Sequence, residues 1–124
     1  MDLYADFRFE AAHRLPGVHP EHMCARLHGH SYRVRVTLRG EVDPASGWVV
    51  DFGGVMAAIE PVRARLDHRY LNDIDGLANP TSENLACWLW KQLRSAIPLI
   101  SAVEVQEMPG YGCIYRGPEP GRLD

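Results

Sequence analysis

The chain opens with a period of two. From Leu3 to His13, the side chains of Phe7, Phe9, Ala11 and His13 fall on one side, and Arg8 and Glu10 on the other. That alternation predicts a half-buried strand. Pro16, Gly17 and Pro20 then break the pattern into a loop. Alternation resumes at His28. His28, His30, Tyr32, Val34, Val36 and Leu38 share one face of a second strand, and Ser31, Arg33, Arg35, Thr37 and Arg39 share the other. The run VDPASGW reads as a turn, bent by Pro44 and Gly47. Trp48 to Val50 is expected to extend the sheet briefly.

After that the period lengthens. Val55, Ile59, Val62 and Leu66 recur at the spacing of an amphipathic helix. Pro61 lies inside it and predicts a kink or a fresh start. DHRYLNDIDGLANP is a loop. Thr81 or Ser82 caps a second helix, with Glu83 in the first turn where the dipole favours an acid. Leu85, Trp88, Leu89 and Leu93 form its buried stripe, and Pro98 ends it. Ser101 to Glu107 alternates again, with Val103, Val105 and Glu107 on one face. Gly112 to Tyr115 is a last strand before a Gly/Pro tail that frays. The order strand, strand, helix, helix, strand, strand has no βαβ rhythm. The expected fold class is therefore α+β, a four-stranded antiparallel sheet with both helices on one face. Its two open edges need covering, and pairing around a ring of identical subunits would do that.

Composition narrows the function. A length of 124 residues fits a single domain, residues 1–124, and 46% apolar residues supply a core. The net charge of −3, with no basic run, lacks the footprint of a nucleic-acid binder. No apolar run reaches the roughly 18 residues of a membrane span. The start, MDLYADFRFE, has no apolar stretch of the kind a signal peptide needs. Three widely spaced cysteines do not make a disulfide framework, so a reduced, cytoplasmic protein is expected.

The candidate chemistry lies at the strand ends. On a strand, residues two apart point the same way, with about 7 Å between their roots, so His28 and His30 can converge on one ion. Gly29 between them lets another group approach the backbone. His13 ends the first strand on its apolar face and comes level with them if the two strands pair. Three imidazoles without an obvious fourth ligand match a catalytic zinc, and iron or copper would accept the same nitrogens. The bland alternative is three hydrogen-bonded strand histidines. His19 and His22 sit in the loop and are not counted as ligands. Cys24, four residues before His28, is a fourth ligand, a reactive base or an inert thiol. Cys87 and Cys113 read as inert. Asp67 and His68 are adjacent, and a carboxylate holding an imidazole suits proton transfer, or else the pair merely satisfies backbone groups. Glu107 stands in a core-facing phase, where a carboxylate needs a partner. It either meets a ligand with two adjacent N–H donors or is solvated at the strand end.

Six stretches in order, FEAAHRLP, CARLHGHSY, GWVVDFGGV, LDHRYLN, NPTSEN and GCIYRG, resemble the 6-pyruvoyl-tetrahydropterin synthase family over about residues 4 to 117. The spacing from Cys24 to His28 and His30 is most similar to the bacterial branch of the queuosine (7-deazaguanine) pathway. The resemblance implies the tunnelling fold, with subunits joined edge to edge as trimers that stack into a hexamer. It implies zinc held by His13, His28 and His30. It makes Cys24 the catalytic base, assisted by Asp67 and His68, with Cys24 and His68 from different chains. It makes Glu107 the anchor of the pterin ring. The implied substrate is 7,8-dihydroneopterin triphosphate, and the implied products are 6-carboxytetrahydropterin, acetaldehyde and triphosphate. A 6-pyruvoyltetrahydropterin product and a zinc-binding assembly without catalysis are the alternatives. One departure stands out: Met108 follows Glu107 where the family usually has Thr.

Overall fold

Two long strands make the frame. In the computed structural model, which describes residues 1–119, β1 (Asp2–His13) and β2 (His28–Arg39) pair antiparallel from end to end. Asp2 stands opposite Arg39 and His13 opposite His28. There follow α1 (Phe52–Ala64), β3 (Arg69–Tyr70), α2 (Ser82–Leu93), β4 (Ile100–Glu107) and β5 (Tyr111–Tyr115). The strand order across the sheet is β3-β1-β2-β4-β5. One phase of these strands, including Phe9, Tyr32, Val34 and Val105, is buried against Ile59 of α1 and Leu85 and Leu89 of α2. Each such side chain contributes about 1.5–3 kcal/mol by leaving water. The opposite phase is polar and carries the cross-strand pairs Asp2–Arg39 and Asp6–Arg35.

The α+β class and the two helices agree with the pattern in the sequence, and three details differ. The sheet has five strands, because β3 joins its edge. β3 also runs parallel to β1, through Ala11 opposite Arg69 and Ala12 opposite Tyr70, so the sheet is not wholly antiparallel. Two residues carry no alternation to read. What aligns them is Glu10, whose N–H donates to the Asp67 carboxylate at 3.0 Å and whose carbonyl accepts from His68 N–H at 2.6 Å. Trp48 to Val50 does not extend the sheet. Its backbone is used locally, with Asp43 N–H on the Trp48 carbonyl at 2.9 Å and Gly47 N–H on the Asp43 carbonyl at 2.7 Å.

Helix α1 passes through Pro61 without starting afresh. Pro61 and Ala57 are both exposed, so water can satisfy the carbonyl that the proline leaves without a donor. Asp51 caps this helix through Gly53 N–H at 3.1 Å. Thr81 caps α2 through Asn84 N–H, also at 3.1 Å. Helix α2 stops at Leu93, short of Pro98. The expected fraying of the tail falls largely outside the described residues. Among the described residues, no helix is long and apolar enough to cross a membrane.

Candidate functional site

The register of β1 and β2 decides the site. Because His13 ends one strand and His28 begins the other, the loop between them returns the chain to the same point on the sheet. His13, His28 and His30 lie on the helix-facing side, and one ligand nitrogen from each can be chosen so that all lie within 4.8 Å of one another. Their rings meet edge to face, with centroids 4.5, 4.9 and 4.7 Å apart. His13 is the buried member at 1% exposure.

Two backbone carbonyls fix the tautomers. His13 Nδ1 donates to the Pro80 carbonyl at 2.8 Å, and His28 Nδ1 donates to the Arg26 carbonyl at 2.7 Å. A carbonyl oxygen only accepts, so both hydrogens sit on Nδ1 and both Nε2 atoms present lone pairs. Those Nε2 atoms face each other at 2.9 Å. Two lone pairs at that distance repel unless a proton or a cation lies between them. Burial, opposed by the Pro80 bond and reinforced by the neighbouring imidazoles, holds the His13 pKa below its usual value of 6.5 and works against the proton. Neutral nitrogens oriented by carbonyls on their far side are the donor set that a transition-metal cation takes. The three residues present therefore fit a metal ion.

Around the cluster, the sequence-derived candidates separate into two groups. Glu107 joins it: its Oε2 lies 3.8 Å from His30 Nε2, its Oε1 accepts from the Ser82 hydroxyl at 2.7 Å, and its side chain is only 13% exposed. Glu107 is therefore largely withdrawn from solvent rather than solvated at the strand end. Tyr32, opposite Glu107 in the sheet, places its hydroxyl 3.3 Å from His13 Nδ1. Burial, with Glu107 nearby, raises the Tyr32 pKa well above 10.0, so the phenol stays protonated.

Among the described residues, no hydrogen bond or ion pair joins Asp67, His68 or Cys24 to His13, His28 or His30. Asp67 accepts from Glu10 N–H at 3.0 Å and from His68 Nδ1 at 3.0 Å. The Glu10 bond is the first cause that lowers its pKa, and the His68 bond is the second. The His68 ring is 78% exposed, on a residue with φ of 57°. A cavity of about 540 Å³ runs between His68, Arg69 and Tyr70 on one side and Glu10, Gly29, His30 and Ser31 on the other. Cys24 lies in the short turn Met23–Ala25, capped by His22, whose Nδ1 accepts from Cys24 N–H at 3.0 Å. The Cys24 thiol is half-buried and is not among the possible ligands. Cys87 and Cys113 are half-buried as well, and burial raises the Cys113 pKa.

Sequence reasoning missed the supporting groups. The carbonyls of Pro80 and Arg26 have no side-chain signature. Ser82 and Tyr32 were visible only as a helix start and a strand position.

Fold and site together define a small α+β protein with three imidazoles that could hold a cation beside a partly buried carboxylate. The chain belongs to the 6-pyruvoyl tetrahydropterin synthase family, whose model matches residues 2–118. It is 45% identical over 111 residues to the 6-carboxy-5,6,7,8-tetrahydropterin synthase of Synechocystis sp., covering 85% of this chain and 84% of that one. It is 37% identical over 90 residues to the dihydroneopterin monophosphate aldolase of Pyrococcus furiosus, covering 73% and 72%. The solved structure of Caenorhabditis elegans 6-pyruvoyl tetrahydropterin synthase superposes with a TM-score of 0.87 at 31% identity, over 95% of this chain and 96% of that one.

Proposed function

We propose that the protein is a zinc-dependent 6-carboxy-5,6,7,8-tetrahydropterin synthase of queuosine (7-deazaguanine) biosynthesis, working in the cytoplasm. It takes 7,8-dihydroneopterin triphosphate and one water to 6-carboxytetrahydropterin, acetaldehyde and triphosphate. The observation that carries this reading is the facing pair of Nε2 atoms in His13 and His28, with His30 and Glu107 alongside. The Synechocystis relative supports the choice of product.

His13, His28 and His30 would hold the ion, and a three-nitrogen donor set favours zinc. Bound there, zinc would supply Lewis-acid polarisation of the substrate's side-chain hydroxyls. Glu107 accepts two N–H groups from the amino-pyrimidine edge of the pterin and places the side chain beside the imidazoles. Cys24 is the base that takes a proton from that side chain. Asp67 holds the hydrogen of His68 on Nδ1, which leaves His68 Nε2 free to accept or return a proton.

In this chain Cys24 and His68 do not meet, and the His68 ring is open to solvent. That arrangement suits a site shared between two subunits, with His68 reaching the Cys24 of a neighbour. The open edges at β3 and β5 suit the pairing of identical subunits into trimers and a hexamer.

The test is incubation with dihydroneopterin triphosphate followed by product identification. Acetaldehyde together with the carboxy product supports the reading. Triphosphate release with a 6-pyruvoyl product and no acetaldehyde would assign the other synthase activity. No turnover by metal-loaded protein would leave a zinc-binding assembly without catalysis.

A further inference from the structure

Helix α2 begins beside the site, and its first residue does something other than cap it. Thr81 performs the capping, through Asn84 N–H at 3.1 Å. The Ser82 hydroxyl is thereby free. It donates to Glu107 Oε1 at 2.7 Å, from a partly buried position 25 residues away in sequence. This is a short bond to a charged acceptor, the kind that is stronger and more directional than a neutral one. Among the described residues it is also the one hydrogen bond that the Glu107 carboxylate receives, since His30 Nε2 stands off at 3.8 Å.

We infer that Ser82 is a positioning residue, whose hydroxyl sets the plane of the Glu107 carboxylate for bidentate recognition of the pterin edge. The inference rests on the proposed pterin-binding role of Glu107 and deepens it. Glutamate has three side-chain torsions, and the last is broad and roughly two-fold. Without a partner the carboxylate plane would be set by solvent. A bidentate contact needs both oxygens in the plane of the two N–H donors. A carboxylate has about four lone-pair sites, so Ser82 occupies one and leaves both oxygens able to accept. The backbone of Glu107 is fixed by the sheet, where it stands opposite Tyr32 on β2 and Tyr111 on β5. Two elements thus meet on one carboxylate: β4 supplies it and α2 orients it. The N-terminal end of α2 also favours negative charge there.

The test measures pterin binding and turnover with metal-loaded protein, for wild type, Ser82→Ala, Ser82→Thr and the double variant Ser82→Ala/Glu107→Gln. Ser82→Ala is expected to weaken pterin binding and raise KM about 10-fold, the worth of one charge-assisted bond. Metal content should not change, and kcat should fall by a smaller factor. Ser82→Thr, which keeps the hydroxyl, is expected to restore KM. In the Glu107→Gln background the alanine change should add little. If Ser82→Ala lowers thermal stability while KM stays at the wild-type value, or if threonine fails to restore KM, the positioning role is wrong. Wild-type protein that binds no pterin at all would instead overturn the reading of Glu107 itself, so the two failures are told apart.

Discussion

His13 Nε2 and His28 Nε2 stand 2.9 Å apart with both of their hydrogens committed elsewhere, to the carbonyls of Pro80 and Arg26. The relationship brings two strand ends together in a group that could hold a cation. Neither imidazole can turn its ring over without losing a carbonyl bond and bringing a hydrogen into the other's face.

Removing one of the pair should remove the ion. His28→Ala is expected to lose bound zinc and activity together, with affinity falling more than about 100-fold, since loss of a ligand's own hydrogen-bond partner already costs about 10–100-fold. Metal analysis of the purified variant checks this. Full occupancy would take His28 out of the ligand set. A chelator should abolish wild-type activity, and added zinc should restore it.

Glu107→Ala should separate binding from metal content. The pterin affinity is expected to fall by about 2–4 kcal/mol, the range for removing one partner of a charged contact that the bound ligand shields from water, while zinc stays. Calorimetry with a pterin ligand and metal analysis on the same sample decide it. Unchanged affinity would remove Glu107 from the site.

Cys24→Ala should spare zinc, because the thiol is not among the possible ligands. Turnover is expected to drop by about 10²–10⁴, the range for a positioned base. A variant as fast as wild type would leave the thiol without a catalytic role.

A pH effect on stability is expected from the polar face of the sheet. The hydrogen bond from Arg35, its first cause, holds the Asp6 pKa below its ordinary value of 3.8. A depressed folded-state pKa means that the contribution is complete above the unfolded value and is lost as pH falls through the folded one. Both side chains are about one-third exposed, so solvent and salt screen the pair and its contribution is small. Thermal melts of wild type and Asp6→Asn should therefore differ slightly near neutral pH and converge in strong acid.

Gly112→Ala should loosen the outer strand. A Cβ at Gly112 would run into the Val105 carbonyl oxygen and the Gln106 backbone, which are rigid parts of β4. Strain of this kind costs about 1–3 kcal/mol. A lowered Tm with zinc content unchanged is the expected result, because the imidazoles sit on β1 and β2.

Much of this is legible in the chain itself. Alternation along Leu3–His13 and His28–Leu38 puts His13, His28 and His30 on the buried phase, because a strand with a period of two leaves each residue only one face to choose. The same rule puts Glu107 in phase with Val103 and Val105. The stripe Leu85, Trp88, Leu89, Leu93 gives α2 and its orientation, and Thr81 or Ser82 marks its start. These are local properties, set by spacing within a few residues.

Tertiary structure alone decides the rest. That His13 lies opposite His28 depends on where the loop between them returns, which no periodicity records. The Pro80 and Arg26 carbonyls that orient the imidazoles are backbone groups, identical in every residue, and only folding selects them. β3 is two residues aligned by Glu10 of β1, which comes long before them in the chain. Ser82 meets Glu107 because helix and sheet pack face to face. Patterning chooses which side of an element is buried; three-dimensional packing chooses what it is buried against, and the chemistry of this site depends on the second choice.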